Sequence, residues 1–476
     1  MLFLPARASA KVALAQVASA QVASAATALH AASAALALPP GLPPGLPWGL
    51  PFVAVLASLA LGPMLAPRAW HRFSGHVMGV CSLGLLLAVG WAKGFDAAGS
   101  ALADAVLDEY LPFMSLLFAL YTIGGGILVM GGPWGRPAGN TALLAIGTVV
   151  AGFLGTTAVA MVLINPLLRS NAYRRRKAHL VLYFILLVAN AGGALSPIGD
   201  PPLYMGFLQG VPFFWPLRWL ALPLLLLAVP LLASFYLLDR YFAAGERAPP
   251  GQEPLRFRGR INLGLICLVA LSAAALGAWH PEVIRLAGHR MEPDRLAETV
   301  LCLATAGVSV AITPRAVRRA NMFSWGPIRE VAEVFVAIFI TIGPVLAMLS
   351  AGAAGPLAGL LGLVANHAGE PAPVAYFWLT GVLSSFLDNA PTYLVFFGLA
   401  GGDAAALSGP LSHVLVAIST GAVFFGGLTY IGNAPNLMVR AVAAHRGVRM
   451  PGFFGYSAAA ALALAGPLLI VTWLMF

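Results

Sequence analysis

Residues 190–202 read Asn-Ala-Gly-Gly-Ala-Leu-Ser-Pro-Ile-Gly-Asp-Pro-Pro and lie between two strongly apolar stretches. A continuous membrane helix cannot run through them. Pro197, Pro201 and Pro202 lack a backbone N–H and crowd the preceding turn. Gly192, Gly193 and Gly199 remove the side-chain constraint on the backbone. An apolar segment broken in this way unwinds at depth, and unwound backbone persists in a bilayer only where protein or a polar cavity satisfies it. In transporters such breaks are where ions and substrates bind.

The second half of the chain repeats the pattern at one fixed offset. Gly193, Leu195, Ser196, Ile198, Gly199, Asp200, Pro202 and Met205 fall, without a gap, on Gly426, Leu428, Thr429, Ile431, Gly432, Asn433, Pro435 and Met438. The same register sets Phe153-Leu154-Gly155-Thr156-Thr157 on Phe386-Leu387-Asp388-Asn389-Ala390. One offset serving two separated motifs indicates a duplicated unit. Apolar matches are cheap in so hydrophobic a chain; matched glycines, prolines and small polar residues are not.

The chain is 60% hydrophobic and 9% charged, against about 25% charged residues in an ordinary soluble domain. This composition implies an all-α polytopic membrane protein. The net charge of +10 is no nucleic-acid footprint, because the basic residues fall in short loops between spans. Cys81, Cys267 and Cys302 read as small buried residues without disulfide or metal-ligand spacing. No phosphate loop, zinc motif or nucleophile elbow points to an enzyme. No ATPase domain is present, so uphill transport would draw on an ion gradient.

Taken in order, residues 1–38 form an Ala-rich segment, read either as a signal peptide or as an extension, and 39–100 hold a Pro/Gly-rich linker and the first spans. Residues 101–245 form repeat unit one, 246–325 a connecting loop and helical hairpin, and 326–476 repeat unit two. About 11–13 membrane segments are expected. Early spans are expected at 50–66, 74–93 and 110–131, with an external acidic segment carrying Asp96, Asp104, Asp108 and Glu109 between the last two. Residues 139–168 read as a re-entrant hairpin or broken helix interrupted at Gly155. Charge placement indicates that the units are inverted. Arg174-Arg175-Arg176-Lys177 follows the first motif of unit one, whereas the equivalent stretch of unit two has no Lys or Arg. After the second motif the bias reverses, with Arg440, Arg446 and Arg449 in unit two. Equivalent loops facing opposite sides are the signature of an inverted repeat.

Two carboxylates lie within the breaks, Asp200 and Asp388, and an Asp at a helix centre costs roughly 2.5–3.5 kcal/mol to insert. Each unit contributes one of them, from a different motif. If the breaks converge, Asp200, Asp388, Asn190, Asn389, Asn433, Thr156, Thr157, Ser196 and Thr429 line one cavity, with Gly192, Gly193, Pro197, Gly199, Pro391, Gly426, Gly427, Gly432 and Pro435 shaping the unwound backbone. Hard oxygen ligands of this kind suit sodium, and a desolvated carboxylate can exchange it for a proton. Each residue also has a structural reading. Asp200 before Pro201-Pro202 has the form of an N-cap, and Asp388 can cap the second arm of a hairpin. The threonines can bond back to their own helices. Asn165-Pro166 can mark the end of a hairpin arm. His413 reads as a core histidine, and Glu330 and Glu333 as surface residues at a helix start.

Asn190 to Asp200 resembles the signature of NhaD-type sodium/proton antiporters, and Ser384-Ser-Phe-Leu-Asp-Asn-Ala-Pro391 their Asp-Asn-x-Pro motif. The chain thus resembles the ion transporter superfamily, which also holds arsenite permeases and citrate and dicarboxylate carriers. The resemblance implies two inverted repeats, each with a re-entrant hairpin and a broken helix, a moving transport domain on a scaffold, and commonly a homodimer. Dicarboxylate carriers carry Ser-Asn-Thr at both hairpin tips. Here the tips read Gly155-Thr156-Thr157 and Asp388-Asn389-Ala390, which argues against a dicarboxylate. The first expectation is a multi-pass inner-membrane antiporter of sodium and protons, with no organic cofactor and no nucleic-acid partner. The second is a cation-coupled symporter of citrate or another organic anion. The third is a non-transporting scaffold, which has no need of polar unwound backbone at depth.

Overall fold

The computed structural model describes residues 45–476 apart from 66, 133–134, 247–253, 278, 280–283, 287–288 and 367–368. The Ala-rich segment 1–38 lies outside the described residues. Eight helical stretches among the described residues are long and apolar enough to cross a membrane, and five shorter apolar helices accompany them. The protein is a multi-pass, almost wholly helical membrane protein. Its outward-facing side chains include Leu87, Trp91, Leu225, Leu271 and Leu462, the apolar surface that lipid requires.

Helices α1 (Leu50–Leu65) and α2 (Pro67–Lys93) lead into α3 (Phe95–Ala103), a π-helical turn (Asp104–Tyr110) and α4 (Leu111–Gly124). The expected acidic segment is helical: Asp96, Asp104, Asp108 and Glu109 ride on one continuous helical run. The third span also ends earlier than expected. The helix ends at Gly124-Gly125-Gly126, and glycine is required at 125 because a Cβ there would lie 2.2 Å from the Phe323 ring. The chain then enters strand β1 (Leu128–Met130), which pairs antiparallel with β2 (Arg256–Arg258). With a second small pair, Ile284–Leu286 and His289–Met291, these strands are the departure from a purely helical chain.

The first motif region is a helical hairpin, α5 (Pro137–Leu154) and α6 (Thr156–Ser170), turning at Gly155 alone with φ 86°. Helix α7 (Ala178–Leu187) follows, then an irregular passage with a 3₁₀ turn at Ala191–Leu195, then α8 (Pro201–Leu208) and the long α9 (Trp215–Ala243). The prolines stand in the first turn of α8, where a missing N–H costs nothing. Pro166 is accommodated inside α6 and does not end it.

Helices α10 (Arg260–Leu276) and α11 (Pro293–Ile312) form the connecting hairpin and pack on α4. The short α12 (Arg315–Ala320) and long α13 (Gly326–Ser350) precede α14 (Ala358–Val364). A second hairpin, α15 (Pro373–Leu387) and α16 (Asn389–Leu399), turns at Asp388, and the short α17 (Ala404–Ser408) follows it. Then come α18 (Ser412–Phe425), a 3₁₀ turn at Gly426–Leu428, α19 (Ala434–His445) and α20 (Phe453–Met475).

The two sets of elements exchange partners. The second arm of the first hairpin, α6, packs on α19, and the second arm of the second hairpin, α16, packs on α8. Within each set the break is tied to the first arm by the same bond. Ser196 Oγ donates to the Gly152 carbonyl at 2.5 Å, and at the equivalent position Thr429 Oγ1 donates to the Ser385 carbonyl. Glycine is required where the break folds on itself: a Cβ on Gly199 would lie 2.2 Å from the Gly193 carbonyl oxygen, and one on Gly432 2.7 Å from that of Gly426.

Three side chains differ from expectation. His413 is exposed and packs edge-on against Trp219, so it is not a core residue. Cys267 is exposed while Cys302 is buried. Arg174, expected on a basic loop, is 3% exposed. It bonds Asp239 of α9, and its second nitrogen donates to the Gly135 carbonyl at 3.0 Å. Asn140 donates to Asp239 at 2.9 Å, and His179 Nε2 lies 2.8 Å from the same carboxylate. This buried network joins the first arm of the hairpin, α7 and α9. Removing the guanidinium alone strands a buried carboxylate, a loss of about 3–5 kcal/mol. We therefore expect Arg174→Ala to lower the thermal unfolding midpoint of the detergent-solubilised protein far more than Arg175→Ala, whose side chain is exposed; equal midpoints would show that the network carries no stability.

Candidate functional site

The site forms where the breaks and the second arms of the two hairpins meet. Asp200 stands at the start of α8 with extended backbone, φ −147° and ψ 144°. That is N-cap geometry, yet its carboxylate makes no bond to its own helix. It turns toward the other elements. Oδ1 accepts from Thr156 Oγ1 at 3.1 Å and from Asn433 Nδ2 at 3.0 Å, and Oδ2 accepts from Asn389 Nδ2 at 2.5 Å. All three donors are neutral. They come from α6, from the second break and from α16, so both halves of the chain meet on one carboxylate.

Asn433 is the positional equivalent of Asp200 and has nearly the same backbone, φ −156° and ψ 140°. Its amide also lies 3.3 Å from Asn190 Oδ1. Asn190 in turn donates to the Ile185 carbonyl at 2.7 Å and to Asn436 Oδ1 at 2.8 Å. Asn436 donates to the carbonyls of Gly426 and Thr429 at 2.8 and 3.0 Å, filling acceptors that the unwound backbone leaves open. Asn436 is fully buried and was not among the expected site residues. Its signal was an amide in an apolar run just beyond a break.

Asp388 behaves as the structural reading of hairpin caps proposed. It is half-buried, and its Oδ1 accepts from the Asn389 backbone N–H at 2.6 Å, capping α16. Asp200, for which a cap was the alternative reading, instead turns its carboxylate away from its own helix. Asp388 lies within electrostatic reach of Asp200 but makes no hydrogen bond to it. It also holds φ 73° and ψ 148° where the first hairpin has Gly155 at φ 86°, a backbone region that L-residues occupy at a cost of order 1–3 kcal/mol.

The remaining expected residues divide by role. The Ser196 and Thr429 hydroxyls bind backbone of the first arms, and Thr429 Oγ1 also accepts from the Ile431 and Gly432 N–H groups. They hold the breaks and do not touch Asp200. Thr157 is half-buried on α6 and lies outside the hydrogen-bond set of Asp200. Asn165 sits mid-helix and accepts from Arg446 at 2.9 Å, linking α6 to the end of α19. Glu333 is in an exposed ion pair with Arg329 at 2.8 Å.

Two features define what the arrangement can do. Thr156, Asp200, Asn389 and Asn433 are each 1% exposed or less, so the described conformation is closed over them. The Asn389 and Asn433 side-chain oxygens are buried with no hydrogen-bond partner among the described residues. A buried unpaired amide oxygen is costly and is free to accept a further donor or a cation. Among the described residues no group of three His, Cys, Asp or Glu side chains is placed to hold a metal. A cation here would meet one carboxylate and neutral oxygens.

Duplicated broken helices and hairpins, closed around a buried carboxylate and amides, define a membrane transporter. The chain belongs to the citrate transporter-like family of ion transporters: the family model described as "Putative citrate transport" matches residues 43–476. No curated protein matches the chain.

The strained turn gives a prediction that separates backbone from charge. Asp388→Gly relieves the positive φ while losing the cap only to glycine, a change of a few tenths of a kcal/mol. It is expected to unfold within about 1 kcal/mol of the parent. Asp388→Ala keeps the strain and loses the cap, and is expected to be destabilised by roughly 1–2 kcal/mol. Thermal unfolding of the two variants side by side checks the order.

Proposed function

We propose that the chain is a secondary active transporter that exchanges sodium for protons by alternating access in the cell membrane, the inner one where there are two. The observation that carries this reading is the ligand set of Asp200. Its carboxylate has no basic partner, only two amides and a hydroxyl. Two further oxygens, on those same amides, are unpaired. With the carboxylate alone, Asn389 and Asn433 serve as donors. Rotated about their terminal bonds, they present oxygens beside it to a cation. Protonation of Asp200 removes the charge that holds the cation, so one carboxyl exchanges one for the other.

Alternating access calls for two units of opposite orientation, and the loop contacts support that arrangement. Arg175, Arg176 and Lys177 line a cavity of about 510 Å³ with Gly447, Val448 and Arg449. Helices α7 and α8 then carry the chain away from that loop to residues 209–214. There Trp215 Nε1 donates to the Ser408 carbonyl at 3.2 Å, and a Cβ on Gly210 would meet Ala404 at 3.5 Å. Ser408 lies in the loop equivalent to Arg175, yet it sits with the opposite end of the first set. Arg175, Arg176, Lys177 and Arg449 gather on one face, which the positive-inside rule makes cytoplasmic.

A second reading, cation-coupled import of citrate or a related anion, is favoured by the description of the family model. In it the positive ends of α8 and α19 would hold carboxylates, and Asp200 would serve the coupling cation. No Lys or Arg hydrogen-bonds the residues around Asp200, and a trivalent anion would want one.

Purified protein in liposomes with an internal pH dye separates the readings. Sodium, lithium and potassium are added in turn across a proton gradient, then labelled citrate with each. Exchange on sodium or lithium alone is expected, and Asp200→Asn is expected to reduce it at least a hundredfold while the protein stays folded. Citrate uptake that needs a cation, with no response to cations alone, would replace the antiporter by the symporter.

A further inference from the structure

A further carboxylate, this one without a basic partner, is buried away from the site. Glu298 lies in α11, one turn inside its start, and is 4% exposed. It makes no salt bridge, and its Oε1 has no hydrogen-bond partner among the described residues. Facing it from α8 is Tyr204, 2% exposed, whose hydroxyl lies within reach of the Glu298 carboxylate. A lone ionisable group inside a membrane protein is expensive and is retained for a reason.

Tyr204 connects this pair to the site. Its N–H donates to the Asp200 carbonyl at 3.3 Å, so hydroxyl and site carboxylate ride one turn apart on the same short helix. The far end of that helix is held by α11 as well, because Arg295 donates to the Leu208 carbonyl at 3.1 Å. Arg295 also donates to the Asp108 carbonyl at 2.8 Å and pairs with Glu292. The charged and titratable groups around Glu298 are Tyr204 from α8 and Asp294, Arg295 and Cys302 from α11, with Glu109 facing Arg295 from the π-helical turn.

From this geometry we infer that Glu298 is a second proton-binding site, which acts through Tyr204 on the helix that carries Asp200. Protonated, the carboxyl is neutral and can donate to the Tyr204 hydroxyl, closing the contact between α11 and α8. Ionised, it can only accept: it takes the Tyr204 hydroxyl and leaves a charge and a second oxygen, Oε1, bare in an apolar interior, which draws water into that contact. Proton loss at Glu298 therefore loosens α8. The inference deepens the transport reading above and rests on it for its purpose, but its test needs no transported substrate.

Hydrogen–deuterium exchange of the peptide spanning residues 203–211 tests it on the full chain in detergent, from pH 5.5 to 8.5, with the intrinsic exchange rate divided out. Opening of α8 is expected to rise with pH, with a slope approaching tenfold per pH unit, the limit for one linked proton. Glu298→Gln is expected to flatten this slope at the protected level. Tyr204→Phe, which keeps the ring, is expected to weaken it severalfold, and it decides the matter if the Gln variant does not fold. Asp200→Asn is expected to keep the slope. A pH-independent parent overturns the inference, as does a slope that survives Glu298→Gln and vanishes in Asp200→Asn. Either result leaves the liposome assay to judge the transport reading by itself.

Discussion

One buried carboxylate with only neutral partners organises this molecule. A charge at that depth is tolerable only with several hydrogen bonds, because removing a carboxylate from water costs far more than any single neutral donor returns. Asp200 obtains its donors from three separate elements, at Thr156, Asn389 and Asn433. No continuous helix could bring those side chains together. The helix that carries Asp200 must start at mid-depth, and each hairpin must turn there too. The glycines and prolines of residues 190–202 and 426–435 meet that demand, and the close carbonyl approaches at Gly199 and Gly432 leave little choice of residue.

The duplication is faithful in frame and unequal in chemistry. Ser196 to Gly152 and Thr429 to Ser385 are one bond made twice. The backbone of Asp200 repeats in Asn433, and that of Gly155 in Asp388. Yet an acid faces an amide at the first pair of positions, and a glycine faces an acid at the second. A symmetric frame with two acids at the centre would set like charges together, where each opposes ionisation of the other. Replacing one by Asn433 turns a repulsive partner into a donor. The second acid stands at the hairpin turn, where it caps α16.

Much of this was legible in the sequence, for a physical reason. Against a background of Leu, Ala and Val, the residues that break helices or cost energy to bury stand out singly, and their fixed offset exposed the repeat. Thr156, Asn389 and Asn433 could be placed beside Asp200 because each sits at a break. The choice between cap and ligand was not legible. Asp200 and Asp388 both precede proline-containing helix starts, and only tertiary packing decides which side chain turns back to its own helix. Arg174 was hidden for the same reason: its partner Asp239 lies far along the chain in α9, and a tetrabasic run reads as exposed. Glu298 and Tyr204 left no motif at all, since nothing in the spacing of α8 and α11 announces that they face each other. The acidic run from Asp96 to Glu109 misled in the other direction, because four charges in a short stretch read as a connection while the chain there is helical throughout.

The bonds also divide into two kinds, and the division constrains how the site can open. Within each set, hairpin and break are joined through backbone: Thr156 N–H to the Gly199 carbonyl at 2.9 Å, and Ser196 and Thr429 to carbonyls of the first arms. Between the sets, the contacts at the centre are made by side-chain amides: Asn389 and Asn433 to Asp200, Asn433 to the Ala189 carbonyl, and Asn190 to Asn436. Backbone contacts of the first kind cannot be given up at depth without stranding polar groups in an apolar medium. Side-chain amides can exchange a carboxylate for an ion or a water by turning about one bond. Any motion that uncovers Asp200 is therefore cheapest when each hairpin and its break move as one body, and when the seam that opens runs through the amides.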